Sequence, residues 1–236
     1  MANYITEGIV IHKTNYSETS LVLKVLTANK GIKSFIFKGA KRKHKNGQLV
    51  SPLSILNITY YQRNDSDLAK ISAVELQVIY KNIPFNPIKA AVVFFLNEII
   101  LKTIKEEEKN SQLYEFIKSA IQVLDVIKSE SHFPLLFLSK LLQHLGYSPL
   151  INKQATYFDY LNGKFSNNEP NHPNYMHGKN VQYLNQIFKS NLTTETLNIP
   201  AKNRQQILVG LLDYYKAVLG DFKTLKSLDV LEAILH

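Results

Sequence analysis

The stretch that decides the fold is residues 21–37, which read LVLKVLTANKGIKSFIF. Two runs of aliphatic and aromatic residues, 21–27 and 32–37, flank the polar segment Asn29, Lys30 and Gly31. A short polar turn that ends in glycine between two such runs is typical of a β-hairpin. The hairpin predicts that the N-terminal part of the chain is built from antiparallel strands.

Three further strand-like runs lie on either side of this hairpin, at residues 5–11, 55–61 and 68–78. Five short strands with one long basic connection after the third are typical of a small closed barrel of the OB type, which uses its loops and one sheet face to bind oligonucleotides. An open sheet or an SH3-like barrel also fits this pattern. The first part of the chain is therefore predicted to be a small β domain.

The hydrophobic pattern becomes helical after Pro84 and Pro87, and residues 82–87 are predicted to be a linker. Apolar residues then recur at helical spacing, which predicts helices at 88–105, 113–127, 134–146, 180–189, 201–219 and 227–235. Residues 152–178 are rich in Asn, Pro, His and Gly and predict an irregular insertion. The sequence thus predicts an α+β protein, with an OB-type five-stranded barrel at 1–82 and an all-helical domain at 83–236 that carries a cysteine-free insertion at about 152–178.

The positive charge is concentrated in the first third of the chain. The formal net charge is +9, and residues 1–83 hold 12 Lys or Arg and 5 Asp or Glu, a net of +7. This asymmetry indicates an anion-binding front module joined to a nearly neutral body. The alternative is that the charge serves solubility alone.

The densest group of cations follows the third strand, in residues 37–47, which contain no acidic residue. The predicted phosphate contacts in this loop are Lys38, Lys41, Arg42, Lys43 and Lys45, and weaker candidates are Lys13, Lys24 and Lys33. The alternative reading is a solvated turn whose lysines prevent edge pairing. Phe35 and Phe37 lie just upstream, and the pattern leaves open whether they stack on bases or pack in the core.

No catalytic signature appears in the sequence, so an enzyme is the class least expected, and no cofactor is predicted. A phosphate-binding glycine-rich loop, a Gly-x-Ser-x-Gly motif and a His-Glu-x-x-His motif are all missing. His172 and His177, with Asp159 upstream, have ligand types that zinc accepts, but their spacing is not diagnostic. The chain has no cysteine, which excludes disulfides and thiolate metal sites and favours the cytoplasm. It also has no apolar run long enough for a membrane span.

An ordered set of short motifs along most of the chain resembles the RecO family of bacterial recombination mediators, which act in DNA repair. In the first third they are Gly8-Ile9-Val10-Ile11, Tyr16-Ser17-Glu18, Leu26-Thr27 with Gly31, Lys38-Gly39-Ala40-Lys41-Arg42, Pro52-Leu53 and the run 68–76. In the helical part, Leu141-Leu142-Gln143-His144-Leu145-Gly146-Tyr147-Ser148-Pro149 resembles the family's Leu-Leu-x-x-Leu-Gly-Tyr-x-Pro.

The resemblance implies an N-terminal OB-fold, a helical domain, and binding and annealing of single- and double-stranded DNA. It also implies a RecR-like partner and single-strand-binding protein, whose acidic C-terminal tail would bind the helical domain, and it connects the protein indirectly with the RecA recombinase. Many members carry a four-cysteine zinc module after the Leu-Gly-Tyr-x-Pro segment. The cysteine-free residues 152–178 stand in that place, so a zinc role is not carried over.

The leading functional hypothesis is a non-enzymatic DNA-binding recombination mediator that acts in the cytoplasm in association with the nucleoid. It would anneal strands and help load recombinase onto DNA coated with single-strand-binding protein. One alternative is a protein-interaction adaptor for single-strand-binding protein, with incidental nucleic-acid binding. Another is an RNA-binding OB protein.

Overall fold

The computed structural model describes residues 3–42, 46–62, 68–105, 109–194 and 197–234. Its strands are β1 (Asn3–Asn15), β2 (Leu21–Thr27), β3 (Gly31–Phe37), β4 (Ile55–Tyr61), β5 (Ala69–Leu76), β6 (Tyr157–Asp159), β7 (Lys164–Ser166) and β8 (Tyr175–His177). Its α-helices are α1 (Pro87–Thr103), α2 (Ser111–Val126), α3 (Phe133–His144), α4 (Lys179–Lys189), α5 (Ala201–Leu219) and α6 (Leu228–Ile234). The chain divides into two compact units, Met1–Phe85 with Asn97–Gln122, and Asn86–Leu96 with Val123–His236.

The first unit contains the five-stranded barrel. Its strand order is β1-β2-β3-β5-β4, and β4 pairs back onto β1, so the pairing closes on itself. The pairs are antiparallel except for β3 with β5, which is parallel. The α+β class, with an OB-type strand domain followed by helices, is confirmed.

Strand β1 is longer than the β-branched run 5–11 predicts, because it pairs with two strands at different places. Its first half, from Asn3 to Ile9, pairs with β4, and its second half, from Gly8 to Asn15, pairs with β2. The register with β2 shifts between Val10 and His12. Such a bulge bends a strand and allows it to turn from one partner to the other. The polar residues at both ends of β1 are part of the strand because they pair with β4 and β2, and not because they favour strand structure themselves.

The barrel interior settles the position of Phe35 and Phe37. Both side chains are fully buried, in a core that also contains Leu23 and Val25 of β2. Tyr60 packs edge-on against Phe35, with ring centroids 5.1 Å apart. The two phenylalanines therefore fill the core and are not stacking platforms.

The second unit is built largely from helices, whose bounds lie within a few residues of the predicted ones. Helix α5 has the predicted bounds, and the Tyr215 hydroxyl donates a hydrogen bond to the carbonyl oxygen of Leu138 on α3 at 2.8 Å. Among the described helices, none combines the length and apolarity needed to span a bilayer.

The segment at 152–178 is more regular than the sequence predicts. It contains a small antiparallel sheet with the order β7-β6-β8. Each strand has only three residues, too few for an alternating pattern to stand out among the surrounding turn residues. The buried ring of Phe158 anchors the sheet, because it packs against Phe165 and against Tyr214 of α5 at centroid distances of 4.6 and 5.2 Å.

Candidate nucleic-acid interface

A cleft of about 570 Å³ lies at the end of the barrel where β1 stops and the basic connection begins. Its lining includes three cations from two separate parts of the chain, Lys13 of β1 with Lys41 and Arg42 of the connection. All three side chains are exposed. The remaining lining residues are Thr14, Asn15, Leu21, Ala40, Gly47 and Gln48.

The first turn of the basic connection is fixed by hydrogen bonds to the loop between β1 and β2. The amide of Lys41 donates to the carbonyl oxygen of Thr19 at 3.1 Å, and the amide of Gly39 donates to Ser20 Oγ at 3.3 Å. The amide of Arg42 closes a turn onto the carbonyl of Gly39 at 2.9 Å. Gly39 has a φ of 69°, which glycine adopts at little cost. The backbone beneath Lys41 and Arg42 is therefore held against the barrel.

The far end of the connection returns to its beginning at Gly47. A Cβ atom on this residue would lie 2.1 Å from the carbonyl oxygen of Ala40, so only glycine fits without a shift of the backbone. Asn46, just before it, has a left-handed φ of 56°, which asparagine tolerates better than most residues. This close approach of Ala40 and Gly47 brings the two ends of the connection together at one edge of the cleft.

Lys13 connects β1 to the same site. Its ammonium donates a hydrogen bond to the carbonyl oxygen of Val50 at 2.9 Å. An ammonium has three N–H donors, so Lys13 can keep this bond while it binds an anion. The sequence predicts Lys13 only as a weaker candidate, and the fold brings it to the same cleft as Lys41, although the two residues are far apart in the chain.

The sequence in this region is almost free of opposing charge. Between residues 8 and 62 the chain contains nine Lys or Arg and one acidic residue, Glu18. Glu18 is exposed and lies in the β1–β2 loop that supports Lys41. Clustered cations with few carboxylates nearby produce a positive potential that attracts anionic chains.

The other predicted site residues lie in several places. Lys38 is exposed directly after β3, whereas Lys24 is half-buried on β2, where it pairs with His12 and Ser34. Lys33 points to the same side as Phe35, and its ammonium bonds Gln62 Oε1 at 2.5 Å and lies 4.8 Å from the centroid of the Tyr60 ring. Neither Lys24 nor Lys33 lines the cleft. Lys43 and Lys45 lie outside the described residues.

Tyr16 also lies at this end of the barrel, but it is not among the DNA-binding residues that the sequence predicts. Its side chain is 65% exposed, and it follows Asn15, which lines the cleft. Its amide donates to the carbonyl of Ser20 at 3.0 Å, so the loop that carries it is ordered by its own hydrogen bonds. An exposed tyrosine beside cations is the combination that binds single strands, because rings stack on bases while cations contact phosphates. The position of Tyr16 in a short polar loop could have indicated this.

The histidines considered as zinc ligands are not brought together with enough partners. His172 Nε2 lies 3.3 Å from Asp159 Oδ2, and His177 lies on β8, where its ring contacts Tyr175. The pKa of Asp159 is lowered, because hydrogen bonds from Asn162 and Leu161 outweigh the effect of burial. Within the described ranges, no three His, Asp or Glu side chains form a group that could hold a metal ion.

Comparison with known proteins gives a consistent family match over nearly the whole chain. The family model described as "Recombination protein O N terminal" matches residues 1–80, and "Recombination protein O C terminal" matches residues 84–229. The chain is 31% identical to a protein of Flavobacterium psychrophilum, over 97% of this chain and 98% of that one. It is 30% identical to a protein of Phocaeicola vulgatus and 31% identical to one of Bacteroides fragilis, with the same coverage. All three relatives are named "DNA repair protein RecO". The chain therefore belongs to the recombination protein O family.

Proposed function

We propose that this protein acts in DNA repair as a non-enzymatic recombination mediator, which binds DNA at the cleft end of its barrel and anneals complementary strands. The names of its relatives support the repair role. The observation that carries the binding site is the convergence of Lys13, Lys41 and Arg42 on one cleft, although Lys13 is distant from the other two in the chain.

The proposed mechanism is electrostatic. Two DNA strands repel each other through their phosphates, and a fixed group of cations lowers that repulsion when both strands are near. The hydrogen bonds that hold the backbone of Lys41 and Arg42 mean that little order has to be gained on binding. Arg42 contributes a guanidinium, whose planar fork can bond two phosphate oxygens at once. No step in this mechanism requires a cofactor or nucleotide hydrolysis.

The proposed partners follow the family. They are single- and double-stranded DNA, a RecR-like partner, and single-strand-binding protein through its acidic C-terminal tail, with RecA as the recombinase that is loaded indirectly. The proposed location is the cytoplasm, in association with the nucleoid.

The experiment is to measure binding of a fluorescent single-stranded oligonucleotide across a range of salt concentrations. If Lys13, Lys38, Lys41 and Arg42 neutralise about four phosphates, log K should fall with log salt at a slope of roughly −3. The variant Lys41→Glu with Arg42→Glu should bind more weakly, and its slope should be shallower by about 1.4. Annealing of complementary strands should slow in parallel.

The matched control reverses two exposed lysines of the second unit, in the variant Lys164→Glu with Lys179→Glu. Both variants change the net charge equally, so a difference between them reports the position of the charge. Equal binding and equal slopes for the two variants would show that the cleft is not the binding site. Stronger binding of RNA than of DNA of the same sequence would favour the RNA-binding alternative.

A second candidate function is the adaptor role, which a small groove of about 30 Å³ in the second unit favours. The groove is lined by apolar side chains of Pro134, Leu135 and Leu208, with Arg204 among them and Glu232 also in the lining. Apolar walls with an arginine suit a peptide that is both acidic and apolar. A peptide with the sequence of the acidic tail should bind the full-length protein, and Arg204→Glu, at a half-buried position in the groove, should abolish that binding without changing the salt dependence of DNA binding. Peptide binding that is unchanged in this variant would exclude the groove.

A further inference from the structure

The barrel carries a second group of aromatic and cationic side chains, which the cleft does not include. It consists of Tyr4, Lys30, Lys33 and Tyr60, here called the Tyr4 cluster. The rings of Tyr4 and Tyr60 are stacked, with centroids 5.4 Å apart and an angle of 28° between their planes. The Lys30 ammonium lies 5.8 Å from the centroid of Tyr4, and the Lys33 ammonium lies 4.8 Å from that of Tyr60.

The Tyr4 cluster and the cleft lie at opposite ends of β1. Tyr4 is near the first residue of this strand, and Lys13 is near its last. Nine residues separate the two positions, which corresponds to about 30 Å of strand at about 3.3 Å per residue. Lys30 belongs to the turn between β2 and β3, whereas the basic connection leaves from the other end of β3. The two groups are therefore separate surfaces of one barrel.

Within the Tyr4 cluster, Tyr60 and Lys33 are buried or half-buried, whereas Tyr4 and Lys30 are exposed. Tyr60 is 3% exposed and packs against Phe35 in the core, so it fixes the ring of Tyr4 from below. Tyr4 itself is 44% exposed, and Lys30 is exposed. Two hydrogen bonds of Thr27 Oγ1, accepted from the amide of Lys30 at 3.1 Å and donated to the carbonyl of Gly31 at 2.8 Å, fix the turn that carries Lys30.

We propose that the Tyr4 cluster is a second contact site for single-stranded nucleic acid, where a base stacks on Tyr4 and Lys30 binds the adjacent phosphate. Stacking on an aromatic side chain is sequence-tolerant, because every base has a π-face. The Lys30 ammonium lies over the ring of Tyr4, and its flexible side chain can swing aside to the phosphate next to the stacked base. The inference rests on the proposed function, since it presumes that the cleft end binds a first strand. It adds that one protein molecule binds two single-stranded segments at once, one at each end of the barrel, in addition to the strand pairing proposed at the cleft.

The chemistry of the cluster favours a nucleic acid over a protein partner. Its accessible members are one aromatic ring and one cation, both on a pre-ordered backbone, and the two tyrosines already form a short stack that a base would extend. Glu7, on the same strand as Tyr4, bonds Lys118 and Tyr114. The connection between β4 and β5 contains Arg63, Asp65 and Asp67 and lies outside the described residues, so the site is defined without it.

The test is the binding stoichiometry of a short oligothymidylate, about six nucleotides long, titrated into the full-length protein at low salt. We expect two oligonucleotides per chain for the wild type. We expect one for Tyr4→Ala with Lys30→Glu, one for Lys41→Glu with Arg42→Glu, and none when all four changes are combined. Tyr4→Phe keeps the ring and should keep both sites. Ile5→Ala, an exposed neighbour of Tyr4 on β1, is the control for changes near the strand start.

The outcomes separate this inference from the proposed function. If the wild type binds one oligonucleotide, and only the Lys41 and Arg42 variant loses it, the proposed function stands and the second site is overturned. If Tyr4→Ala with Lys30→Glu still binds two oligonucleotides, the second site is likewise overturned, and loss of a protein partner in that variant would assign the cluster to protein recognition. If the wild type binds none, the proposed function itself fails. The melting temperature of each variant shows that a loss of binding is not a loss of folding.

Discussion

The ammonium of Lys118 on α2 lies 2.6 Å from Glu7 Oε1 on β1. The hydroxyl of Tyr114, one helical turn earlier on α2, donates to the same oxygen at 2.7 Å. The ring of Tyr114 is almost fully buried, and the side chains of Glu7 and Lys118 are each 22% exposed. One carboxylate oxygen thus joins the barrel to α2 inside the first unit, through an ion pair and a hydrogen bond.

Replacing Glu7 with glutamine should destabilise the first unit by about 1–2 kcal/mol, since hydrogen bonds to a charged group are stronger than those to a neutral amide. The measurement is urea unfolding of the full-length protein at neutral pH. Glu18→Gln, at an exposed position in a loop, is the matched control and should change the free energy of unfolding by less than about 0.5 kcal/mol. Equal effects at the two positions would contradict a stabilising role for the Glu7 contacts.

The stabilisation by Glu7 should depend on pH in a defined direction. Burial raises the pKa of Glu7, but the hydrogen bonds from Lys118 and Tyr114 and the charge of Lys118 outweigh it, so the pKa is lowered overall. Burial raises the pKa of Tyr114, so its phenol remains a donor throughout this range. A carboxylate with a lowered pKa stabilises the folded state above the unfolded pKa of about 4.3, and this stabilisation is lost as pH falls through the folded pKa. The difference in unfolding free energy between wild type and Glu7→Gln should therefore be largest near neutral pH and shrink in acid. A difference that stays constant down to about pH 3 would exclude this linkage.

The contacts of Glu7 illustrate what the sequence could and could not predict about the fold. Local patterns predicted β2, β4 and α5 with their observed bounds, because alternation and helical spacing are properties of neighbouring residues. Contacts such as Glu7 with Lys118 depend on which elements meet in space, and no local pattern records that. The polar ends of β1 and the three short strands at 157–177 were missed for a related reason, since pairing with other strands determines them.

The candidate site could likewise be predicted from local patterns only in part. The cations of the basic connection are contiguous and could be predicted, whereas only the closed barrel distinguishes Lys13, which lines the cleft, from the other weaker candidates Lys24 and Lys33, which do not. Phe35 and Phe37 could not be assigned from alternation alone, because alternation does not say which side faces the interior. Because these rings are buried, the exposed Tyr16 is the aromatic residue that we propose for stacking at the cleft end of the barrel.

Replacing Tyr16 with alanine should weaken single-strand binding by about 1–3 kcal/mol, the usual contribution of one stacked base. The slope of log K against log salt should stay unchanged, because no cation is removed. Oligonucleotide titrations at several salt concentrations measure both quantities. Tyr16→Phe retains the ring and should bind like the wild type. A Tyr16→Ala variant that binds normally would show that this ring does not stack on a base.

Removing the negative charge of Glu18 should strengthen DNA binding, whereas reversing the charge of the cleft cations should weaken it. This carboxylate is the only acidic group between residues 8 and 62, and it lies in the loop whose Thr19 carbonyl supports Lys41. Glu18→Gln should raise affinity a few-fold at low salt, and the gain should fade at high salt because exposed charges are screened. Asp213→Asn, at a half-exposed position in the second unit, is the control and should leave affinity unchanged. Unchanged affinity for Glu18→Gln would place the DNA away from this loop.

Adding a methyl group at Gly47 should displace one end of the basic connection. The new Cβ would lie 2.1 Å from the carbonyl oxygen of Ala40, and a backbone atom cannot move aside as a flexible side chain can. Gly47→Ala should therefore lower both the melting temperature and the affinity for single-stranded DNA. Asn46→Gly relieves a left-handed residue next to it and should retain both. Wild-type affinity in Gly47→Ala would show that the ends of the connection need not meet for binding.

Lys89 is a buried cation near the start of α1, a position that the apolar pattern of this helix gives no reason to single out. Its side chain is 4% exposed, and its ammonium donates to the carbonyl oxygens of Asp125 and Ile127, both at 2.8 Å, with Glu130 at 3.7 Å. These carbonyls lie at the C-terminal end of α2, where the helix itself supplies no donors. The lysine thus satisfies two backbone acceptors, in one buried and one partly buried hydrogen bond.

Lys89→Met keeps most of the volume but leaves these carbonyls without the ammonium, so it should cost about 2–4 kcal/mol of unfolding free energy. Lys102→Met on the same helix removes an ion pair with Glu98 on a partly exposed face and should cost less than about 0.5 kcal/mol. Urea unfolding of both variants measures the difference. DNA affinity at a temperature where both remain folded should match the wild type, because Lys89 belongs to the second unit and the cleft to the first. Equal destabilisation in the two variants would show that the Lys89 hydrogen bonds do not hold this end of α2.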